Sequence, residues 1–134
     1  MRVITFGTFD LFHVGHLRIL KRAKELGTHL TVGISSDSLN VNKKTKMPII
    51  PQDQRMEIVK NMAYVDDVFY EESMDLKRQY IVDHRADILV MGDDWKGKFD
   101  YLNDVCEVVY LPRTQDISTS YLLDFIVHGN FPKE

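Results

Sequence analysis

Gly7-Thr8-Phe9-Asp10-Leu11-Phe12-His13-Val14-Gly15-His16 is the stretch on which this chain turns. The apolar run Val3–Phe6 before it reads as a buried strand. After it, Val14, Leu17, Leu20, Ala23 and Leu26 recur at helical spacing, and Gly27 is a stop signal, so the reading places a helix over His16–Leu26. Strand, glycine turn, two histidines and helix follow in order. At such a junction the unpaired N–H groups of the helix and its dipole attract an anion. His13 and His16, three residues apart, share one face of a helical turn and can address the same anion. The expected occupant is a nucleotide phosphate.

Outward from this corner, short apolar runs alternate with amphipathic ones. Strands are expected at Leu30–Ser35, Asp67–Tyr70, Ile88–Met91 and Glu107–Leu111. Helices are expected from Pro51 to Met62, with Met56, Val59 and Met62 inward, from Leu76 to His84, and from Ser118 to Val127, opened by the cap-rich Ser118-Thr119-Ser120. Ser35–Ser38 reads as turn and cap chemistry. Asn40–Pro51 reads as a loop, polar and basic, broken by Pro48 and Pro51. The alternation predicts an α/β fold, a Rossmann-like parallel sheet of five strands with helices on both faces. One domain over residues 1–128 is expected, with 129–134 as a tail. In such folds ligands sit at the carboxyl ends of the strands. That brings Gly7–His16, Ser35–Ser38, Gly92–Trp95 and Pro112–Thr119 to one rim, with Lys43, Lys44 and Lys46 in the loop and Arg55 after it. Cations, hydroxyls and two helix N-termini on one edge make a polyphosphate site.

The bulk numbers narrow the partners. With 134 residues and a net charge of -3, the chain has no broad basic field for nucleic acid or a membrane surface. No apolar run approaches the roughly 20 residues that span a bilayer. The lone Cys106 cannot form an internal disulfide and reads as a buried, inert thiol. No signal peptide is visible, and the cytoplasm is the expected compartment. No G-x-x-x-x-G-K-[ST] loop, G-x-G-x-x-G turn or zinc-spaced Cys/His set is present.

Gly-Thr-Phe-Asp-Leu-x-His-x-Gly-His, paired with Arg113-Thr-x-x-Ile-Ser-Thr-Ser120, resembles the cytidylyltransferase branch of the HxGH nucleotidyltransferases. Val90-Met-Gly-Asp-Asp-Trp-Lys-Gly-Lys-Phe-Asp100 and Cys106–Thr114 resemble its glycerol-3-phosphate subfamily. The resemblance runs from about residue 3 to residue 120. It implies that CTP and an alcohol phosphate give a CDP-alcohol and pyrophosphate, by in-line attack on the α-phosphorus with no covalent enzyme intermediate.

The roles it implies are these. His13 and His16 donate hydrogen bonds to the phosphates. Lys43 and Lys46 are catalytic, with Arg113, and which loop lysine matches the family's is left open. Gly7, Thr8, Phe9, Asp10, Gly92, Asp93, Arg113, Thr114, Ile117, Ser118 and Thr119 bind the nucleotide. Lys44, Arg55, Asp94 and Trp95 serve the acceptor. Mg²⁺ arrives with CTP, and Asp10 is a candidate to help hold it. A homodimer is implied, with Tyr64-Val65-Asp66 near its contact. The chain departs from the glycerol-3-phosphate pattern at Ala63, where an Arg is usual, and at Met74, often Trp. Other acceptors therefore stay open: another glycerol or sugar-alcohol phosphate, phosphoethanolamine or phosphocholine. An adenylyltransferase like FAD synthetase and a regulatory subunit without turnover stay open too. A CDP-glycerol product would point to teichoic-acid or capsule-type polymers.

Overall fold

A computed structural model describes residues 1–42, 47–113 and 118–129. Five strands, β1 (Arg2–Gly7), β2 (His29–Ser35), β3 (Asp67–Glu71), β4 (Ile88–Gly92) and β5 (Glu107–Leu111), form one sheet in the order β3-β2-β1-β4-β5. Every neighbouring pair is parallel. The chain winds from β1 outward to β3, crosses back, and lays β4 against the other side of β1. The strand order therefore reverses between β1 and β4. The loops that leave these two strands diverge and open a crevice above the sheet.

The sheet is apolar on both faces because both are covered. Val3, Leu30, Val32, Ile34, Ile88 and Val90 pack with Leu20 and Ala23 of α1 (Val14–Glu25) and Val59 of α3 (Gln52–Lys60). The alternate residues Ile4, Phe6, Leu89 and Met91 pack with Ile81 of α4 (Lys77–Asp83) and with Phe99 and Leu102. Neighbouring strand residues thus serve opposite cores, and Ile88–Met91 of β4 reads as an unbroken apolar run. Across the switch point, Thr5 Oγ1 donates to Val90 O at 2.6 Å, which satisfies a buried hydroxyl between β1 and β4.

The expected strands and the parallel, doubly covered sheet are present. Three local differences have physical causes. A short helix α2 (Asp37–Asn42) occupies the expected turn and the start of the expected loop. Ser36 Oγ accepts the Leu39 N–H at 3.1 Å, which caps it, and Leu39 is buried. Helix α1 starts at Val14, not at His16, because His13 is its N-cap. Residues between β4 and β5 form two 3-10 turns, Asp93–Trp95 and Asp100–Leu102, that pack Phe99 and Leu102 under the sheet. The final helix, α5 (Thr119–His128), is capped by Ser118 and ends on Gly129 in the left-handed conformation (φ +66°).

Candidate nucleotide-binding site

The turn after β1 is built tightly. Phe9 and Leu11 both take left-handed backbone conformations, φ +54° and +48°, which are costly for residues with a Cβ. Phe9 is buried, and its ring passes so close to Gly7 that a Cβ there would stand 2.8 Å from it. Glycine at position 7 is therefore a packing requirement. The Phe9 ring then meets His16 edge-on at 5.5 Å, and Phe12 lies 5.3 Å from the same imidazole.

The two histidines are held by the start of helix α1. His13 Nδ1 accepts the Gly15 N–H at 3.0 Å, and His16 Nδ1 accepts the His13 N–H at 3.1 Å. The rings stack with centroids 3.9 Å apart. An Nδ1 that accepts a backbone N–H carries no proton, so the ring proton sits on Nε2. Burial pushes the His16 pKa down from 6.5 to about 4, helped by neighbouring His13 and opposed by the Asp10 carboxylate. Burial and then the Arg113 guanidinium lower that of His13. Both shifts favour the neutral ring, and the Nδ1 contacts leave Nε2–H as the donor. The two side chains combine hydrogen-bond donation with a fixed orientation.

These rings border a cleft of about 240 Å³, lined also by Gly92, Asp94, Arg113, Ser118 and Thr119. A second lobe shares His16, Gly92, Asp94 and Thr119 with it and runs past Gly7, Thr8, Phe9 and Trp95. A third continues from Gly7, Thr8 and Trp95 to Glu71, Met74 and Lys77. The described rim residues of β1, β4, β5 and α5 are thus brought into one trough over the switch point. Asp93 is exposed and does not line it.

Ser118 Oγ accepts the Tyr121 N–H at 3.0 Å, as an N-cap does. Thr119 Oγ1 donates to Asp10 O at 3.0 Å. The first backbone N–H groups of α5 have no partner within the helix and face the anion-attracting end of its dipole. Lys43, Lys44, Lys46, Thr114 and Ile117 lie outside the described residues.

Two expectations need correction. Arg55, expected at the acceptor, does not line the cleft. It is 1% exposed, and its guanidinium donates to Ile50 O (2.9 Å), Thr8 O (2.7 Å), Ser35 O (2.9 Å) and Asp37 Oδ1 (2.7 Å). Those donors are spent on three backbone carbonyls and the Asp37 carboxylate. Asp10 is a poor metal ligand for the same reason. Its carboxylate accepts three backbone N–H groups, from Leu11 at 3.1 Å and from Ile49 and Ile50 at 2.9 Å each. Among the described residues no three His, Cys, Asp or Glu side chains converge as metal ligands.

The sequence reading missed Lys77. It is 2% exposed, paired with Glu71 (1% exposed), with its Nζ 4.3 Å from the Phe6 ring centroid and 3.6 Å from Met74 Sδ. Its sequence neighbours, Leu76 and Arg78, give no hint of a buried cation. Asp66 is structural: it accepts the Leu30 N–H at 2.8 Å and pairs with Lys24.

Residues 4–125 match the family described as Cytidylyltransferase-like. A glycerol-3-phosphate cytidylyltransferase of Bacillus subtilis (strain 168) is 50% identical over 125 residues, 93% of this chain and 96% of its own length. One from Bacillus spizizenii is 47% identical, over 90% of this chain and 93% of its own. A solved structure, the lipopolysaccharide core biosynthesis protein from Thermoplasma volcanium, superposes with a TM-score of 0.75 at 26% identity, over 86% of this chain and 98% of that one.

Proposed function

This chain belongs to the cytidylyltransferase-like family, and we propose that it joins CTP to sn-glycerol 3-phosphate, giving CDP-glycerol and pyrophosphate. The observation that carries the reading is the pair of backbone N–H bonds that anchor His13 and His16 through Nδ1. Two neutral imidazoles, each anchored through Nδ1, keep Nε2–H for a ligand in the cleft. That arrangement suits a reaction whose difficulty is charge on phosphate oxygens, not proton removal.

The acceptor's phosphate is ionised near neutral pH and needs no base. Its oxygen bonds to the α-phosphorus of CTP while the bond from that phosphorus to the bridging β-oxygen breaks. The pyrophosphate leaves opposite the attacking oxygen. His13 and His16 donate to the phosphate oxygens, where negative charge grows. Arg113 and the N-terminus of α5, with Ser118 and Thr119, take the departing end. Mg²⁺ enters as part of the substrate, chelated by the triphosphate. The acceptor enters the lobe beside Trp95, Met74 and the buried Lys77. Lys43, Lys44 and Lys46 are proposed to add charge to the phosphates, as the resemblance implies. A homodimer is proposed on the same ground, with light scattering as its measurement.

The deciding experiment is pyrophosphate release with each NTP against a panel of alcohol phosphates. Release with CTP and glycerol 3-phosphate is expected. Release with ATP but not CTP overturns the cytidylyl assignment. CTP binding without turnover on any acceptor overturns the enzyme reading.

A further inference from the structure

Met47, Pro48 and Ile49 line the cleft, and Met47–Ile50 joins the lysine-rich stretch to α3, yet its own side chains hold it poorly. Met47 is 58% and Ile49 56% exposed, so apolar burial gives the segment little anchorage. Its backbone is gripped instead by two charged groups beneath it. Asp10 takes the N–H of Ile49 on Oδ2 and that of Ile50 on Oδ1. Arg55 takes the carbonyl of Ile50 through Nε. Ile50 is therefore held at both its N–H and its C=O.

The same two side chains hold the histidine turn. Arg55 Nη1 donates to Thr8 O, and Asp10 accepts from Leu11, so the turn is pinned on both sides of Asp10 itself. Asp10 O accepts from Thr119, which adds the start of α5. Arg55 Nη2 reaches Asp37 Oδ1. Asp37 Oδ2 in turn accepts the Gln52 N–H, while Gln52 Oε1 accepts the Asp37 N–H. Burying an isolated carboxylate or guanidinium is costly, and here each is supplied with three or four partners. All of these partners but Asp37 Oδ1 are backbone groups, and they lie at the carboxyl ends of strands or in the segments beside the cleft.

We propose that Asp10 and Arg55 are positioning residues that act as one clamp, fixing Met47–Ile50 and the His13–His16 turn in a single register so that both meet the same substrate. The proposal rests on the cytidylyl-transfer reading for its kinetic part. Each side chain acts through the backbone it holds.

Asp10→Asn puts an amide N–H₂ where one of the two Ile N–H groups needs an acceptor. Arg55→Lys keeps the charge and loses the fork that spans Thr8 and Ile50. Each is expected to lower kcat by about 10- to 100-fold, the scale of a small misplacement of reacting groups. The KM values for CTP and acceptor should stay within about threefold of wild type. The double variant should lose no more than the worse single one, because the clamp fails once.

Hydrogen exchange gives a readout that needs no turnover. The Ile49 and Ile50 amides should exchange at least tenfold faster in Asp10→Asn, with the amides of β1 and β4 unchanged. If Asp10→Asn fails to fold, Arg55→Lys carries the same exchange comparison. Unchanged exchange at Ile49 and Ile50, multiplying losses in the double variant, or a rise confined to the acceptor's KM in Arg55→Lys would overturn the clamp. If the wild-type protein turns over no CTP, the cytidylyl reading falls, and the exchange result still decides whether the clamp exists.

Discussion

His13 and His16 lie stacked with ring centroids 3.9 Å apart, each Nδ1 bound to a backbone N–H of the same helix start. The caps of helix α1 and the proposed donors to phosphate are therefore the same two side chains.

The two roles can be separated at His13. His13→Asn keeps an N-cap acceptor and removes Nε2–H. Stability should change by about 0.5 kcal/mol or less, while turnover should fall 10²- to 10³-fold, the usual cost of losing one preorganised donor. His16→Ala should lower turnover by at least about 10² with the fold kept. Denaturation midpoints beside kcat read both effects. A His13→Asn enzyme with near-normal turnover removes His13 from the chemistry.

The depressed His16 pKa sets a pH window. In the unfolded chain this imidazole takes up its proton near 6.5, in the folded chain near 4. Between those values the unfolded state binds more protons, so stability falls as pH drops from about 6.5 to 4 and is flat above. His13 contributes in the same direction. Melting temperatures across pH 4 to 7 check this, and His16→Asn should flatten the slope.

Glu71 and Lys77 form a buried pair, and half a pair is worse than none. Glu71→Ala should cost about 3–5 kcal/mol in chemical denaturation. Replacing both residues by apolar ones of similar size should recover most of the loss.

Met74 tests the acceptor lobe. Its thioether lies 3.6 Å from Lys77 Nζ in the lobe that runs past Glu71 and Trp95. Met74→Ala should shift the acceptor's KM roughly tenfold, the worth of a few methylenes in a pocket, and leave that for CTP almost unchanged. An equal shift in both constants places the lobe elsewhere.

Cys106 should be inert. Burial raises its pKa, so little thiolate forms near neutral pH. Cys106→Ala should keep turnover, and iodoacetamide should label the native chain more slowly than the unfolded one.

The sheet was legible in the sequence because it is covered on both faces. Val3 and Ile4 look alike in the chain and serve opposite cores. The histidine corner was legible because helix-start chemistry is local. Helix α2 was not: four of the six residues of Asp37–Asn42 are polar, and one of them, Asn40, is buried alongside Leu39. Arg55 was misread for a different reason. Its partners are mostly carbonyls, which no sequence displays, and they come from positions up to 47 residues away. Lys77 hid likewise, since its burial depends on Phe6 and Phe99, brought to it by the fold.

The pairing of β1 with β4 joins residues 85 apart, Val3 with Ile88. During synthesis, β1, β2 and β3 emerge first and can assemble. The flank of β1 that will receive β4 then stays open as a bare edge. A ribosome-bound chain that ends before β4 has its histidines but no second wall to the cleft. Competence to hold a nucleotide should therefore arrive late and all at once, after β4, β5 and the start of α5 have left the ribosome. Truncated chains that stop short of β4 should be prone to associate through that edge.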